Sequence, residues 1–140
     1  MIKTKKGLDL PISGNPTMDL DSSTAINSVA VLGADYVGLK PTMMVEEGDT
    51  VSSGQKLFEN KKNPGTYITA HSSGIIKSIN RGEKRRFLSL VIETNDSLDP
   101  IKFNLNDYSN SIEFLIDTGA LAYFRTRPYN RMPVPTELPS

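Results

Sequence analysis

The chain has 140 residues, enough for one ordinary domain with some appended structure and a core with little to spare. Lysine and arginine total 16 and aspartate and glutamate total 16, so no net field favours nucleic acid or an anionic surface, and any charged contact must be local. The absence of cysteine excludes disulfides, thiolate zinc sites, cysteine-held iron–sulfur clusters and cysteine nucleophiles, while a single histidine, His71, leaves little for metal or general-base chemistry. No apolar run approaches the roughly 20 residues that span a bilayer. The basic opening MIKTKKGLDL lacks a following apolar stretch of signal-peptide length, so the chain is expected in the cytoplasm or on the cytoplasmic face of something larger.

Residues 1–25 read as an irregular N-terminal arm, because glycine and proline at Gly7, Pro11, Gly14 and Pro16 interrupt regular structure. From Ile26 the pattern becomes β-like, with Val29 to Leu32, Tyr36 and Val37 in short runs. Met43, Met44 and Val45 run into Glu46-Glu47-Gly48-Asp49 and resume at Val51, which predicts a tight hairpin-like reversal. A second reversal is predicted between Leu57-Phe58-Glu59 and Tyr67-Ile68-Thr69, across the polar tip Asn60 to Gly65. Ser72-Ser73-Gly74 then turns into Ile75, Ile76 and Ile79, and Arg81-Gly82-Glu83 feeds Phe87, Leu88, Leu90, Val91 and Ile92. Strands of this length and spacing across residues 26–95 describe a small sandwich or barrel.

Residues 96–140 change character. Ile112, Leu115, Ile116, Gly119 and Ala120 share a helical stripe, with Ser109 or Asn110 as cap and Glu113 in the first turn. Pro128, Pro133, Pro135 and Pro139 exclude regular continuation, so the end reads as a linker toward absent downstream domains that folds only against a missing neighbour. Limited proteolysis is then expected to trim both ends and leave a middle near Ile26 to Glu93. The fold class expected is mainly β with a short helical C-terminal part (α+β).

The segments Val45 to Leu57 and Ile79 to Val91 share a plan of apolar strand end, acidic-glycine turn and apolar strand. Two such halves interlocked about a pseudo-twofold would close a compact core. With Gly48-Asp49, Gly54 to Leu57 and Ala70-His71-Ser72-Ser73-Gly74, this plan resembles the barrel-sandwich hybrid of lipoyl and biotinyl domains. A lipoyl or biotinyl carrier is therefore one alternative function. Its hairpin signature is a lysine between acidic and small residues or between methionines, and Glu59-Asn60-Lys61-Lys62-Asn63-Pro64-Gly65 meets neither.

A closer resemblance rests on the opening Ile2 to Gly14, Tyr36-Val37-Gly38-Leu39-Lys40-Pro41, Glu47-Gly48-Asp49, Leu57-Phe58-Glu59, Lys61-Lys62-Asn63-Pro64-Gly65, Arg81-Gly82-Glu83-Lys84-Arg85, and Gly119 with Ala122 to Pro128. In that order these segments resemble the N-terminal portion of the NqrA component of sodium-translocating NADH:quinone reductases. The resemblance implies a peripheral component on the cytoplasmic side of the bacterial inner membrane, docked on membrane-embedded partner subunits. The complex, a translocase, would pass electrons from NADH through flavins and an iron–sulfur centre to ubiquinone while exporting sodium. This chain would hold none of those cofactors and would have no catalytic chemistry alone. The missing cysteines and the missing Gly-x-Gly-x-x-Gly unit agree with that expectation. The C subunit of the Rnf electron-transfer complex is a further alternative, which would require cysteine-rich cluster motifs further along.

No catalytic or metal-ligating residue is expected. His71 reads as a polar turn residue, and Arg81, Lys84, Arg85 and Arg86 as a solvated hairpin end or a grip for phosphate or an acidic patch. Tyr123, Phe124, Arg125, Arg127 and Tyr129 form the candidate cluster, because arginine interleaved with aromatics suits an interface or a quinone headgroup. The other reading makes them a helix exit, with arginines satisfying terminal carbonyls and rings completing the core.

Overall fold

The structure, a computed structural model, describes residues 13–95 and 97–136. The lysine-rich opening up to Ile12 lies outside the described residues. Residues 13–27 carry no helix and no strand before Ser28, and Met18 and Leu20 are 94% and 96% exposed, so this part of the arm is irregular without packing on the core.

Seven strands follow from the short β-branched and aromatic runs. They are β1 (Ser28–Leu32), β2 (Pro41–Met43), β3 (Thr50–Val51), β4 (Lys56–Asn60), β5 (Tyr67–Thr69), β6 (Gly74–Arg81) and β7 (Phe87–Thr94). All pair antiparallel, in a four-stranded sheet ordered β1-β7-β6-β3 and a three-stranded sheet ordered β2-β4-β5. Pro41 opens an edge strand, where its missing N–H costs no ladder bond. Alternation along β7 turns Leu90 and Ile92 inward and Glu93 outward, and the register shift opposite Asn80 and Arg81 lets Phe87, of the other parity, turn inward while Leu88 stays exposed. Register then sets Val31 opposite Leu90 and Ile76 opposite Ile92.

The core lies between the sheets. Val31, Ile76, Leu90 and Ile92 meet Leu57, Phe58 and Ile68, and the rings of Phe58 and Phe87 touch edge-on with centroids 5.1 Å apart. A bulge between Lys56 and Phe58 lets adjacent Leu57 and Phe58 both turn inward. Each such side chain contributes about 1.5–3 kcal/mol on burial.

The reversal expected between Met43 and Val51 is not a hairpin. β2 pairs with β4 in one sheet and β3 with β6 in the other, so the chain crosses between sheets at Glu46–Asp49. Val45 and Val51 flank the crossing and both enter the core, which a hairpin lying in one sheet would not provide. Asp49 Oδ2 accepts from Glu46 N at 2.7 Å, and Gly48 N donates to Ile76 O at 2.8 Å. The related turn after β6 does close a hairpin, β6 with β7. The two similar segments therefore differ in strand pairing, and the repeat belongs to the sequence only.

The helix, α1 (Ser111–Asp117), is capped by Asn110, whose Oδ1 accepts from Glu113 N at 2.9 Å. It ends before the predicted stripe does. Gly119 adopts φ +73°, and Ala120–Tyr123 forms a separate 3-10 turn that buries Leu121 and Ala122. After the break Leu121 and Ala122, both absent from the stripe, are buried, Ala122 within the core cluster, while α1 keeps no fully buried side chain. Lys56 Nζ instead ties α1 to β4 through Asp117 Oδ1 at 2.6 Å, and Tyr108 Oη donates to Asp117 Oδ2 at 2.7 Å.

Up to Pro135 the proline-rich segment packs on this chain itself, and Pro139 lies outside the described residues. Met132 is 3% exposed within the core cluster, Asn63 Nδ2 donates to Met132 O at 3.2 Å, and Pro135 lies against Gly65. The segment packs on the β4–β5 tip because Met132 supplies apolar volume there and proline needs no N–H partner.

Candidate functional site

The five candidate residues leave the 3-10 turn at Tyr123 and run through a loop closed by Thr126 N to Arg131 O at 2.8 Å and Asn130 N to Thr126 O at 2.9 Å. The Arg127–Pro128 peptide is cis. Structure divides the cluster in three. Arg125 turns back, donating from Nη1 to Ala122 O and, at 2.9 Å, to Phe124 O, and its guanidinium stands 5.3 Å from the Tyr36 ring centroid. It thus satisfies carbonyls at the end of the turn, one half of the helix-exit reading. The other half fails, since Tyr123 and Phe124 are 52% and 55% exposed and do not complete the core. Tyr129 is 70% exposed and sits under Arg131, 5.6 Å from ring centroid to guanidinium carbon, apart from the rest.

Phe124, Arg125 and Arg127 line a groove of about 600 Å³ with Ile112, Leu115, Leu121 and Pro133. Its lining is mostly apolar, with Arg127 exposed and the Arg125 guanidinium turned back onto the Ala122 and Phe124 carbonyls. Such a surface suits a flat apolar or aromatic group bearing a polar or anionic edge. Sequence spacing places the aromatic and arginine residues together, but the floor comes from α1 and from Pro133, which only folding brings near.

Two neighbours were not legible in sequence as part of this region. Tyr36 is buried beneath Arg125, and its hydroxyl is pushed up to about 12, first by burial and then by the Tyr123 phenol, with Arg125 opposing. His71 Nε2 lies 2.8 Å from Tyr123 Oη, the two groups sharing one proton donor set by the imidazole tautomer. Partial burial also raises Tyr123 above the ordinary phenol range, which keeps it a neutral hydrogen-bonding group well into alkaline pH. His71 is thus the polar partner of a tyrosine. Among the described residues no cluster of three histidine, cysteine or acidic side chains is placed to hold a metal ion.

The β4–β5 tip has its own geometry. Asn60, 2% exposed, accepts through Oδ1 from Lys40 N and Lys62 N, each at 3.2 Å, and Glu59 Oε1 accepts from Gly65 N at 2.8 Å. With Met132 and Pro135 against it, the tip is braced on several sides. No helix among the described residues is long and apolar enough to cross a membrane.

Residues 2–95 match the family described as the NqrA N-terminal barrel-sandwich hybrid domain. The chain is 46% identical to the A subunit of the Na(+)-translocating NADH-quinone reductase of Yersinia pseudotuberculosis, across 99% of this chain and 33% of that protein. It is 48% identical to the protein of the same name from Haemophilus influenzae, across 95% of this chain and 31% of that protein. The chain spans about a third of the length of these relatives.

Proposed function

This chain belongs to the NqrA N-terminal barrel-sandwich hybrid domain family, and from that premise we propose that it acts as a peripheral, non-redox part of a sodium-translocating NADH:quinone reductase. It supports electron transfer from NADH to ubiquinone by assembly and surface contact with the membrane-embedded subunits, on the cytoplasmic side of the bacterial inner membrane. This chain holds none of the complex's flavins or its iron–sulfur centre in this reading, and without cysteine it offers no thiolate ligands for a cluster.

The observation that carries the reading is the groove lined by exposed Phe124 and Arg127 together with Arg125, Leu115 and Leu121. Exposed aromatic and arginine side chains over an apolar floor are what an interface centre or a quinone-side wall uses. In the intact complex, Arg127→Ala is expected to lower quinone reduction about tenfold while NADH oxidation by an artificial acceptor changes little, which corresponds to the loss of about 1.4 kcal/mol. Equal loss in both assays would remove the groove from the quinone side.

The carrier alternative is disfavoured by the bracing of the β4–β5 tip. A ligase needs a protruding hairpin it can engage from both sides, and here Met132 and Pro135 of the same chain occupy one side. Intact mass after co-expression with an active lipoyl or biotinyl ligase is expected to equal that of the bare polypeptide.

A further inference from the structure

We propose that the turn closing the β6–β7 hairpin is a contact surface for anionic phospholipid headgroups, made by Arg81, Lys84, Arg85 and Arg86. All four side chains are exposed. Arg86 N donates to Glu83 O at 3.1 Å, and Lys84 and Arg85 between them adopt φ 53° and 59°. Both central positions of a two-residue hairpin turn with positive φ ordinarily hold asparagine and glycine, because a Cβ there crowds the backbone. The chain keeps two long cations where local folding favours small neutral residues.

Those charges are not used within the fold. Among the described residues the ion pairs are Lys56 with Asp117 and Lys77 with Glu93, and neither involves the turn. Glu83 is the one carboxylate between Arg81 and Arg86. With no net charge on the whole chain, any attraction to an anionic surface must be local, and this turn gathers four exposed cations within six residues.

The flank of the turn is apolar. Leu88 and Val37 are 39% and 48% exposed beside a hollow of about 330 Å³ that Leu39, Phe87 and Arg86 also line. Cations on long stems next to exposed aliphatic side chains match the layering of a bilayer interface, phosphate outside and acyl chain within. A hairpin end is convex, so it lies readily on a plane, whereas a discrete acidic patch on a protein would need a matching hollow. Each cation near an anionic bilayer strengthens partitioning roughly fivefold. Four of them give a salt-sensitive contact that assists docking without anchoring the chain alone. The inference rests on the geometry of the turn and stands apart from the quinone-side groove.

The 140-residue chain is sedimented with vesicles of phosphatidylcholine, alone or mixed with phosphatidylglycerol, at low and high salt. Binding is expected only with phosphatidylglycerol and is expected to vanish at high salt. The double variant Lys84→Asn with Arg85→Gly should partition roughly 25-fold more weakly. Its melting midpoint should be unchanged or higher, since those residues relieve the turn. The charge-matched control Lys61→Asn with Lys62→Asn, at the other tip, should bind as the parent does. No binding, binding indifferent to phosphatidylglycerol, or equal losses in the two double variants would overturn the proposal. Retention on immobilised polyglutamate without vesicle binding would overturn it in favour of an acidic protein partner.

Discussion

Gly119 ends α1 at φ +73°, and a Cβ built there would stand 2.6 Å from Thr69 Cγ2 and 3.2 Å from Tyr67 O. Gly48 adopts φ +94° with nothing within 4 Å. The pair separates backbone strain from steric overlap. Gly48→Ala is expected to cost about 1 kcal/mol from the left-handed conformation alone, and Gly119→Ala about 3 kcal/mol once overpacking is added. Urea unfolding of both variants measures the difference, and equal losses would mean that Thr69 moves aside freely. At this scale the sequence was partly readable. Gly119 lies on a helical stripe that continues past the true helix end, because spacing reports periodicity and not the sign of φ. Likewise Arg125 and Tyr123 were visible as a cluster, whereas Tyr36 and His71, many residues away, joined it only through contact.

At the scale of the element, α1 is short, buries none of its residues fully and depends on its cap and on Asp117 for its place against β4. Isolated helices of this length are not stable in water. The Asp117 carboxyl is held below its ordinary value of 3.8, first by the Lys56 ammonium and then by the Tyr108 hydroxyl. A carboxylate lowered in the folded state contributes stability that is complete above its unfolded value and is lost as pH falls through the folded one. Tyr108 titrates the other way: its hydrogen bond to Asp117 raises it from 10.0 to about 12, so that contribution is complete below pH 10 and is lost on the way to 12. Both side chains of the ion pair keep solvent contact, so the effect is screened and modest. Melting midpoints are expected to decline at both extremes of pH, and Asp117→Asn should flatten both declines. An unchanged profile in that variant would show that α1 is held by other contacts.

The whole molecule is tied together by its last described segment. Met132 fills the core beside the β4–β5 hairpin, so Met132→Ala is expected to cost about 3 kcal/mol through the cavity it leaves. Limited proteolysis should cut within the exposed residues 13–27 and spare 120–134, in place of the trimming at both ends that composition suggests. Early cleavage near Pro133 would show that this packing is weak.

Strand existence, the two true hairpins and the mainly β class followed from the amino-acid sequence, because turn residues and short β-branched runs act locally and need no distant partner. The family resemblance was also legible, being carried by short segments that follow in order from Ile2 to Pro128. What only tertiary structure decided was which strands share a sheet, that Glu46–Asp49 crosses between sheets, and that Met132 belongs to the core. Those outcomes depend on filling one shared interior volume, a property of all the side chains together that no window along the chain contains.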